Sequence, residues 1–319
     1  MYTNTNYTLN TQDLKEQLQQ KKILVVGDIM LDRYWFGETN RISPEAPVPI
    51  IKIQKYEDRL GGAANVARNI ANLGVQTSIL GCIGIDEAGL RIKTLLTEDC
   101  VNAYLQEDSE YTSILKLRVL ARKQQMLRLD FEEKLPQNLL QRIEKGFAQL
   151  ISQYNLVVFS DYDKGCLESC ENLITIAKQN NIPILVDPKG RSFTKYKGST
   201  ILTPNLKELS EVVGGWQNEE ELNIKAQNLR EQLQLEALLV TKSEQGMTLY
   251  TNTTIQNFHS QIQEVSDVSG AGDTVIATLA SLMSVTNDIF ISTEYANKAG
   301  GIVVGKLGTS SIEYNELFN

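Results

Sequence analysis

The feature of this 319-residue sequence that most restricts its fold is the alternation of short, β-branched apolar segments with helical ones. Polar or charged residues follow four of these segments: 23–26, 156–159, 184–186 and 200–202. Such segments are typical of parallel strands, whose carboxyl ends share one edge of a sheet where ligands bind. The sequence therefore predicts one α/β domain over residues 22–319 with a mainly parallel central sheet. Residues 1–21 are predicted to be a flexible leader that ends in a short helix.

Two excursions interrupt this alternation at about residues 33–56 and 111–132, where proline-rich or strand-like segments replace the helices. We expect the two excursions to pair with each other and form a small β lid. A sheet of this size cannot bury both of its faces alone, and exposed apolar edges attract partners. We therefore predict a homodimer that assembles through the lid.

The second excursion is rich in cations. It carries Lys116, Arg118, Arg122, Lys123 and Arg128. Cations on an exposed strand commonly protect a sheet edge against unwanted pairing. In an acidic protein such a group also suits a phosphate, which arginine binds with two parallel hydrogen bonds. Both interpretations stay open at this point.

Segment 267–273, which contains two glycines and precedes the apolar residues 274–283, predicts an anion site. Glycines let the backbone present several N–H groups, and the buried helix that follows adds the positive end of its dipole. Asp273 is unusual there, because a carboxylate repels a phosphate unless it takes a proton from an attacking hydroxyl. Aspartate is also favoured at the N-cap of a helix, so Asp273 is either a catalytic base or a structural cap.

Further polar residues are expected near the same edge of the sheet. Asp28 and Asp32 follow the first strand, where carboxylates suit the hydroxyl groups of a sugar, although a capped turn is the alternative. Gly61 and Gly62 open a helix and permit close approach of a ligand to the backbone, and Asn65 follows one turn later. Tight packing is the alternative role for the two glycines.

Composition excludes several classes of function. The net charge of −8 and the isoelectric point near 5.0 argue against a nucleic-acid or anionic-membrane binder, because both need a basic surface. Four cysteines and one histidine leave little metal chemistry. The polar N-terminus lacks the apolar core of a signal peptide, and no segment has the length of a membrane span. We therefore predict a cytoplasmic protein that binds neither nucleic acid nor membranes.

The glycine segments 61–65 and 267–273 together resemble the ribokinase-like, or PfkB, family of carbohydrate kinases, and the resemblance covers nearly all of residues 22–319. It implies a three-layer sandwich with a mainly parallel sheet and a small β lid. It also implies ATP and Mg²⁺ as cofactors, with a monovalent cation near Asp267. Phosphoryl transfer needs in-line positioning, neutralisation of charge and a base for the hydroxyl, and the candidate residues would supply these.

The resemblance assigns roles to the matching positions. Asp273 would be the catalytic base, and Gly270, Ala271 and Gly272 would form the anion hole. The residues implied beside ATP are Asn205, Leu206, Lys207, Glu208, Thr241, Lys242, Ser243, Gly246, Asn297, Gly301 and Gly305. Of these, Glu208 and Asn205 would hold Mg²⁺, through water. Besides the lid cations Lys116, Arg118, Arg122 and Arg128, the residues expected to face the substrate are Asp28, Asp32, Gly61, Gly62 and Asn65.

Four segments resemble a narrower group of this family, the kinases of D-glycero-β-D-manno-heptose 7-phosphate: residues 27–35, 41–49, 128–133 and 304–310. This resemblance implies ATP-dependent phosphorylation of the anomeric hydroxyl to the 1,7-bisphosphate, on the route to ADP-heptose and the lipopolysaccharide core. Many such kinases are fused to a nucleotidyltransferase domain, which we do not expect here because the chain ends at Asn319. The alternatives are a kinase for another sugar or sugar phosphate, and a non-catalytic regulator that binds a sugar phosphate.

Overall fold

The computed structural model describes residues 11–122, 124–260, 268–306 and 311–318. Its strands are β1 (Lys22–Gly27), β2 (Ile29–Ile42), β3 (Pro49–Gly62), β4 (Gln76–Gly84), β5 (Asn102–Asp108), β6 (Ile114–Ala121), β7 (Gln124–Phe131), β8 (Leu156–Ser160), β9 (Ile184–Asp187), β10 (Ile201–Leu202), β11 (Ala237–Thr241), β12 (Met247–Thr251) and β13 (Ile255–Phe258). Its helices are α1 (Thr11–Gln19), α2 (Ala63–Asn72), α3 (Glu87–Glu98), α4 (Gln137–Leu150), α5 (Cys170–Gln179), α6 (Leu206–Val213), α7 (Glu219–Gln232), α8 (Ala271–Thr286), α9 (Ile289–Val304) and α10 (Tyr314–Phe318). None of these described helices has both the length and the apolar character needed to cross a bilayer.

The central sheet has the strand order β13-β12-β11-β10-β9-β8-β1-β4-β5. β12 runs antiparallel to β11 and β13, and the other neighbouring pairs are parallel. The strands of this sheet are apolar throughout because both faces of the sheet are covered. In β1, for example, Ile23 and Val25 pack into the core on one face, and Leu24 and Val26 pack into the core on the other. Helices α1, α2, α3, α8 and α9 cover the first face, and α4 to α7 cover the second. The predicted α/β three-layer sandwich is confirmed.

A second sheet, in the order β3-β2-β6-β7, is the lid. β2 and β6 are parallel, from Met30 opposite Ile114 to Gly37 opposite Ala121, while β2–β3 and β6–β7 are antiparallel pairs. The two excursions therefore form the small β lid of the predicted fold class. The strands of the first excursion extend beyond the predicted residues 33–56, because β2 leaves the central sheet soon after β1 and β3 runs directly into α2.

The described part of the predicted leader forms α1, the short helix expected at its end, because Leu14 and Leu18 lie one turn apart and are both buried in the core. The segment before β11 differs from the sequence-based expectation. After Pro204 the sequence predicts one helix before β11. The structure contains two, α6 and α7, with α6 ending at Gly214.

Candidate active site

A cavity at the carboxyl edge of the central sheet gathers the polar strand ends. It encloses about 140 Å³ between the ends of β8 to β11 and the first turn of α8. The predicted functional residues that line it are Asn205, Glu208, Thr241, Gly270, Gly272 and Asp273. It is also lined by five polar residues to which the sequence assigned no role: Asp161, Tyr162, Asp187, Lys189 and Thr203.

Asp273 lies in the first turn of α8, and only 4% of its surface is exposed. The Tyr162 hydroxyl donates to Oδ1 at 2.5 Å, and Asn65 Nδ2 donates to Oδ2 at 2.6 Å. Asn65 therefore directs its amide to this carboxylate, and its expected contact with the sugar stays a prediction. The helix begins at Gly270 without a side-chain cap, so Asp273 does not cap α8. Two side chains from other elements hold the carboxylate instead.

Burial raises the pKa of Asp273 to about 6, although the hydrogen bonds from Asn65 and Tyr162 favour the carboxylate and lower it. The Asp32 charge raises the pKa further, and the Arg68 charge lowers it. At neutral pH Asp273 is therefore mainly ionised, with a pKa close to the range that suits a general base. The arrangement can accept a proton from a bound hydroxyl group.

The start of α8 presents backbone N–H groups to the cavity. The first N–H groups of an α-helix have no acceptors within the helix. Ala271 N donates to Val268 O and Thr274 N donates to Gly270 O, so the N–H groups of Gly272 and Asp273 remain as first-turn donors. A Cβ at Gly272 would meet no other atom within 4 Å, which leaves the backbone accessible to a ligand. This geometry suits a phosphate group.

Asn205 and Glu208 begin α6 with a reciprocal capping box. Asn205 Oδ1 accepts from Glu208 N at 2.9 Å, and Glu208 Oε2 accepts from Asn205 N at 3.0 Å. Glu208 Oε1 accepts from Lys189 Nζ at 2.8 Å. Burial raises the pKa of the neighbouring Asp187 well above its usual range, and the charges of Asp273 and Glu208 raise it further. The cavity thus brings together acidic groups whose ionised forms a bound cation would stabilise.

Asp28 organises the loop that follows β8. Its Oδ2 accepts from Tyr162 N at 2.8 Å and Lys164 N at 3.1 Å, and its Oδ1 accepts from Cys166 N at 3.0 Å. Burial, followed by the charge of Asp161, raises the pKa of Asp28 to about 6, while the three N–H groups lower it. This carboxylate is therefore engaged with the backbone, and its contact with the sugar stays a prediction.

Close packing against β2 explains Gly61 and Gly62. A Cβ at Gly61 would lie 2.5 Å from Asp32 Oδ2, and one at Gly62 would collide with Asp28 O. Gly62 also has a φ of 57°, which residues with a side chain rarely adopt. Packing therefore requires glycine at both positions, and their expected contact with the sugar stays a prediction.

Two lid cations lie on the inner face of the lid, on the same side as Asp32. Arg118 Nη1 forms an ion pair with Asp32 Oδ1. Lys116 lies directly opposite Asp32 in the lid register, and its Nζ is 5.8 Å from the centre of the Tyr162 ring. Burial lowers the pKa of Lys116. These two cations are therefore near the residues that surround Asp273.

The other predicted lid cations lie further out. Arg122 is at the turn after β6, where its Nη2 donates to Thr39 O at 2.6 Å, so the phosphate site proposed below does not include it. Arg128 lies opposite Arg118 but on the exposed strand β7, and it forms an ion pair with Asp130. Lys123 is outside the described residues.

The residues predicted beside ATP divide into two groups. Thr241 lines the cavity at the end of β11. Lys242 does not, because its Nζ forms an ion pair with Glu219 of α7 at 2.5 Å, and Leu206 does not, because it packs against the core. Lys207 is exposed on α6. Contact of these three side chains with the nucleotide stays a prediction.

On the expected adenine side, Asn297 Nδ2 of α9 donates to His259 O at 2.8 Å and joins α9 to the end of β13. Ser243 begins the 3₁₀ turn after β11, and Gly246 follows that turn with a positive φ. Gly301 lies in α9, and Gly305 is the residue at which α9 ends. Their contacts with a nucleotide stay predictions. Asp267, near which a monovalent cation was expected, lies outside the described residues.

Tyr162 and Asp187 are site residues that sequence reasoning missed. Each lies at or just after the end of a strand, β8 or β9, whose polar ending is visible in the sequence. The strand ends were therefore the available signal. The direction of the Tyr162 side chain depends on the loop that Asp28 holds, and no local pattern reveals that contact.

Protein-family comparison covers most of the chain. A model described as the pfkB family of carbohydrate kinases matches residues 20–315. The D-beta-D-heptose 7-phosphate kinase of Bordetella bronchiseptica is 51% identical over 302 residues, which cover 95% of this chain and 96% of that protein. The bifunctional protein HldE of Pasteurella multocida is 48% identical over 304 residues, which cover 95% of this chain but only 64% of that protein.

Solved structures share the fold. Phosphofructokinase-2 from Escherichia coli, in complex with potassium, has a TM-score of 0.80 at 19% identity, over 93% of this chain and 96% of that one. Arabidopsis thaliana ribokinase, complexed with ribose and ATP, has a TM-score of 0.74 at 19% identity, over 93% of this chain and 97% of that one. With the match over residues 20–315 and the relative at 51% identity, the chain belongs to the pfkB family of carbohydrate kinases.

Proposed function

We propose that the protein transfers the γ-phosphoryl group of ATP to the anomeric hydroxyl of D-glycero-β-D-manno-heptose 7-phosphate. The observation that carries the proposal is the buried Asp273 carboxylate at the start of α8, beside N–H groups that suit a phosphate. The name of the Bordetella relative supports heptose 7-phosphate as the substrate. The product would be the 1,7-bisphosphate, on the route to ADP-heptose and the lipopolysaccharide core. Because ATP and sugar phosphates are held inside the cell, we place the reaction in the cytoplasm.

Asp273 would take the proton of the anomeric hydroxyl while the oxygen of that hydroxyl attacks the γ-phosphorus. The anomeric hydroxyl is more acidic than an ordinary alcohol, which makes this proton transfer easier. The bond from the γ-phosphorus to the bridging oxygen breaks, and ADP leaves. The N–H groups of Gly272 and Asp273 would stabilise the negative charge on the transferred group.

Asn205, Glu208 and Asp187 line the part of the cavity that we assign to the phosphates of ATP and to Mg²⁺. Bound Mg²⁺ would neutralise phosphate charge and orient the γ-phosphate. The donors fit this ion, because Mg²⁺ commonly binds through one or two carboxylates, with phosphates and water completing its ligands. No group of three or more acidic, histidine or cysteine side chains that could hold a metal occurs in the described part of the chain. Lys189, now paired with Glu208, would contact the phosphates.

Lys116 and Arg118 would bind the phosphate at the end of the sugar remote from the anomeric carbon. Both lie on the inner face of the lid, and Lys116 is close to Tyr162 and hence to Asp273. Burial disfavours the charged form of Lys116, and an anion beside it would restore that form. The guanidinium of Arg118 has further N–H groups beyond the one paired with Asp32.

A panel of sugars tests the substrate assignment. With ATP and Mg²⁺, kcat/KM for heptose 7-phosphate is expected to exceed that for free heptose by about tenfold or more, since a charged hydrogen bond contributes about 1.5–3 kcal/mol. Fructose 6-phosphate and ribose test the alternative of another sugar. A higher kcat/KM for either would contradict the heptose assignment, and transfer to none of the four would favour a non-catalytic regulator.

We also propose a homodimer that assembles through the outer face of the lid. The lid register aligns one residue from each strand across this face: Tyr56 of β3, Trp35 of β2, Val119 of β6 and Leu127 of β7. Its apolar side chains that are at least 40% exposed include Ile53, Tyr56, Leu127, Leu129 and Phe131. A contiguous apolar face of this kind marks an interaction site, because soluble monomers rarely expose one.

Light scattering at micromolar concentration is expected to give twice the chain mass of 35.7 kDa. Leu127→Glu introduces a charge into the proposed interface and should shift the mass toward that of a monomer. Ile224→Glu is the matched control, because Ile224 is an equally exposed apolar residue on α7. A monomer mass for the unchanged protein would contradict the dimer.

A further inference from the structure

Tyr162 occupies the place that an acceptor hydroxyl would take on Asp273. Its hydroxyl donates to Asp273 Oδ1 at 2.5 Å, while Asn65 donates to Oδ2 at 2.6 Å. A general base accepts its proton from a donor at roughly 2.6–3.2 Å, which is close to the separation that the phenol already has. A sugar hydroxyl that reaches Oδ1 in the same direction must therefore displace the phenol.

The phenol is a stable donor on a fixed loop. Burial raises the pKa of Tyr162 well above its usual range, so the hydroxyl keeps its proton. The backbone N–H of Tyr162 donates to Asp28 Oδ2 at 2.8 Å and holds the main chain in place. Departure of the hydroxyl from Asp273 therefore requires a change of side-chain rotamer rather than movement of the loop.

The same ring contacts the lid. Lys116 Nζ lies 5.8 Å from the centre of the Tyr162 ring, within the range of a cation–π contact. Lys116 is also the cation that we assign to the substrate phosphate. A sugar phosphate that reaches from Lys116 to Asp273 therefore passes the position of the phenol.

We propose that Tyr162 determines the acceptor specificity of the kinase, because its hydroxyl covers Asp273 against water until the sugar displaces it. This inference rests on the proposed role of Asp273 as the base. Without the phenol, Asp273 would take a proton from a water molecule whose oxygen attacks the γ-phosphorus of ATP. The bond to the bridging oxygen would break, giving ADP and inorganic phosphate. The phenol thus suppresses hydrolysis of ATP while no sugar is bound.

The test compares ATP hydrolysis without sugar to phosphorylation of heptose 7-phosphate in the Tyr162→Phe variant. The ratio of hydrolysis to transfer is expected to rise by about tenfold or more over that of the unchanged protein, because water gains access to a positioned base. Tyr250→Phe is the matched control, since the hydroxyl of the buried Tyr250 on β12 donates to Asn223 Oδ1 of α7 at 2.8 Å. It removes the same kind of hydrogen bond away from Asp273 and should leave the ratio unchanged.

The pH profile gives a second readout. The phenol lowers the pKa of Asp273 in the free enzyme, so its loss in Tyr162→Phe raises that pKa and moves the acid limb of kcat/KM to higher pH. The acid limb of kcat should not move, because the sugar has replaced the phenol in the complex. The other charged groups that act on Asp273 are unchanged in the variant: Asp32, Arg68 and Asp187.

An unchanged ratio in a folded Tyr162→Phe variant would overturn the inference. A second outcome would also overturn it: a lower kcat in Tyr162→Phe, with the acid limbs of both kcat and kcat/KM moved to higher pH. This result would mean that the phenol stays on Asp273 during transfer. Tyr162→Leu, which also lacks the hydroxyl, repeats the test if the phenylalanine variant does not fold.

If the unchanged protein phosphorylates no sugar, the proposed function fails separately. In that case, the inference would still be supported if Tyr162→Phe hydrolysed ATP faster than the unchanged protein and the double variant with Asp273→Asn did not. Faster hydrolysis that persisted in the double variant would overturn it.

Discussion

Turnover of the Asp273→Asn variant is expected to fall by about a hundredfold or more, while the affinities for ATP and sugar phosphate change little. Asparagine keeps the size of the side chain, and its carbonyl oxygen can still accept a hydrogen bond from Asn65 or Tyr162. It cannot take a proton from the sugar hydroxyl, so only the step that needs the base is lost. Steady-state kinetics with heptose 7-phosphate, together with calorimetric binding of each ligand, measure the two effects separately.

Asp288→Asn is the matched control for this experiment. Asp288 is the N-cap of α9, where its Oδ1 accepts from Phe290 N at 2.8 Å and from Ile291 N at 3.1 Å. Asparagine caps a helix about as well as aspartate, so this variant should retain normal turnover. Turnover of Asp273→Asn within a few-fold of the unchanged protein would leave Asp273 with a structural role only.

Replacing Lys116 by methionine is expected to lower kcat/KM for heptose 7-phosphate by about tenfold to a hundredfold. The loss corresponds to one charged hydrogen bond, about 1.5–3 kcal/mol. Methionine keeps a long apolar side chain beside the Tyr162 ring and removes only the charge. The affinity for ATP and kcat/KM for free heptose should hardly change, because neither depends on the remote phosphate.

Arg122→Ala provides the comparison within the lid. Arg122 contributes a cation to the same excursion, but its guanidinium contacts Thr39 O at the turn after β6. Its removal should therefore leave kcat/KM for heptose 7-phosphate unchanged. Equal losses for Lys116→Met with phosphorylated and free heptose would show that Lys116 does not act through the phosphate. If Lys116→Met and Arg122→Ala lowered kcat/KM for heptose 7-phosphate equally, the lid cations would act through their overall charge and not through a specific contact with the phosphate.

The position of Asp273 could be predicted because the decisive features are adjacent in sequence. Gly270 and Gly272 allow the turn, and the length of the apolar segment that follows favours a buried helix. The lid was predictable for a similar reason, since prolines and strand-like alternation replace the helical pattern in two places. These are local properties, and the strands of the central sheet show the same local character.

Side-chain directions were not predictable, because they depend on segments that are distant in sequence. Asp28 binds the backbone of Tyr162, 134 residues later, and this contact decides where the phenol points. Lys242 turns toward Glu219, which lies on a helix that the sequence analysis did not resolve. The charge of the second excursion was visible in its composition. Only the register of the lid shows that Lys116 lies opposite Asp32.

The parallel pairing of β2 with β6 determines when the lid can form during folding. The chain between these two strands contains β3, α2, β4, α3 and β5. Closing so long a segment costs conformational entropy, which is recovered only after its helices and strands have packed against β1. The lid should therefore assemble after the first half of the central sheet. During synthesis, all four lid strands emerge before β8 to β13, so a complete lid can wait on β1, β4 and β5 while the rest of the central sheet is still being made.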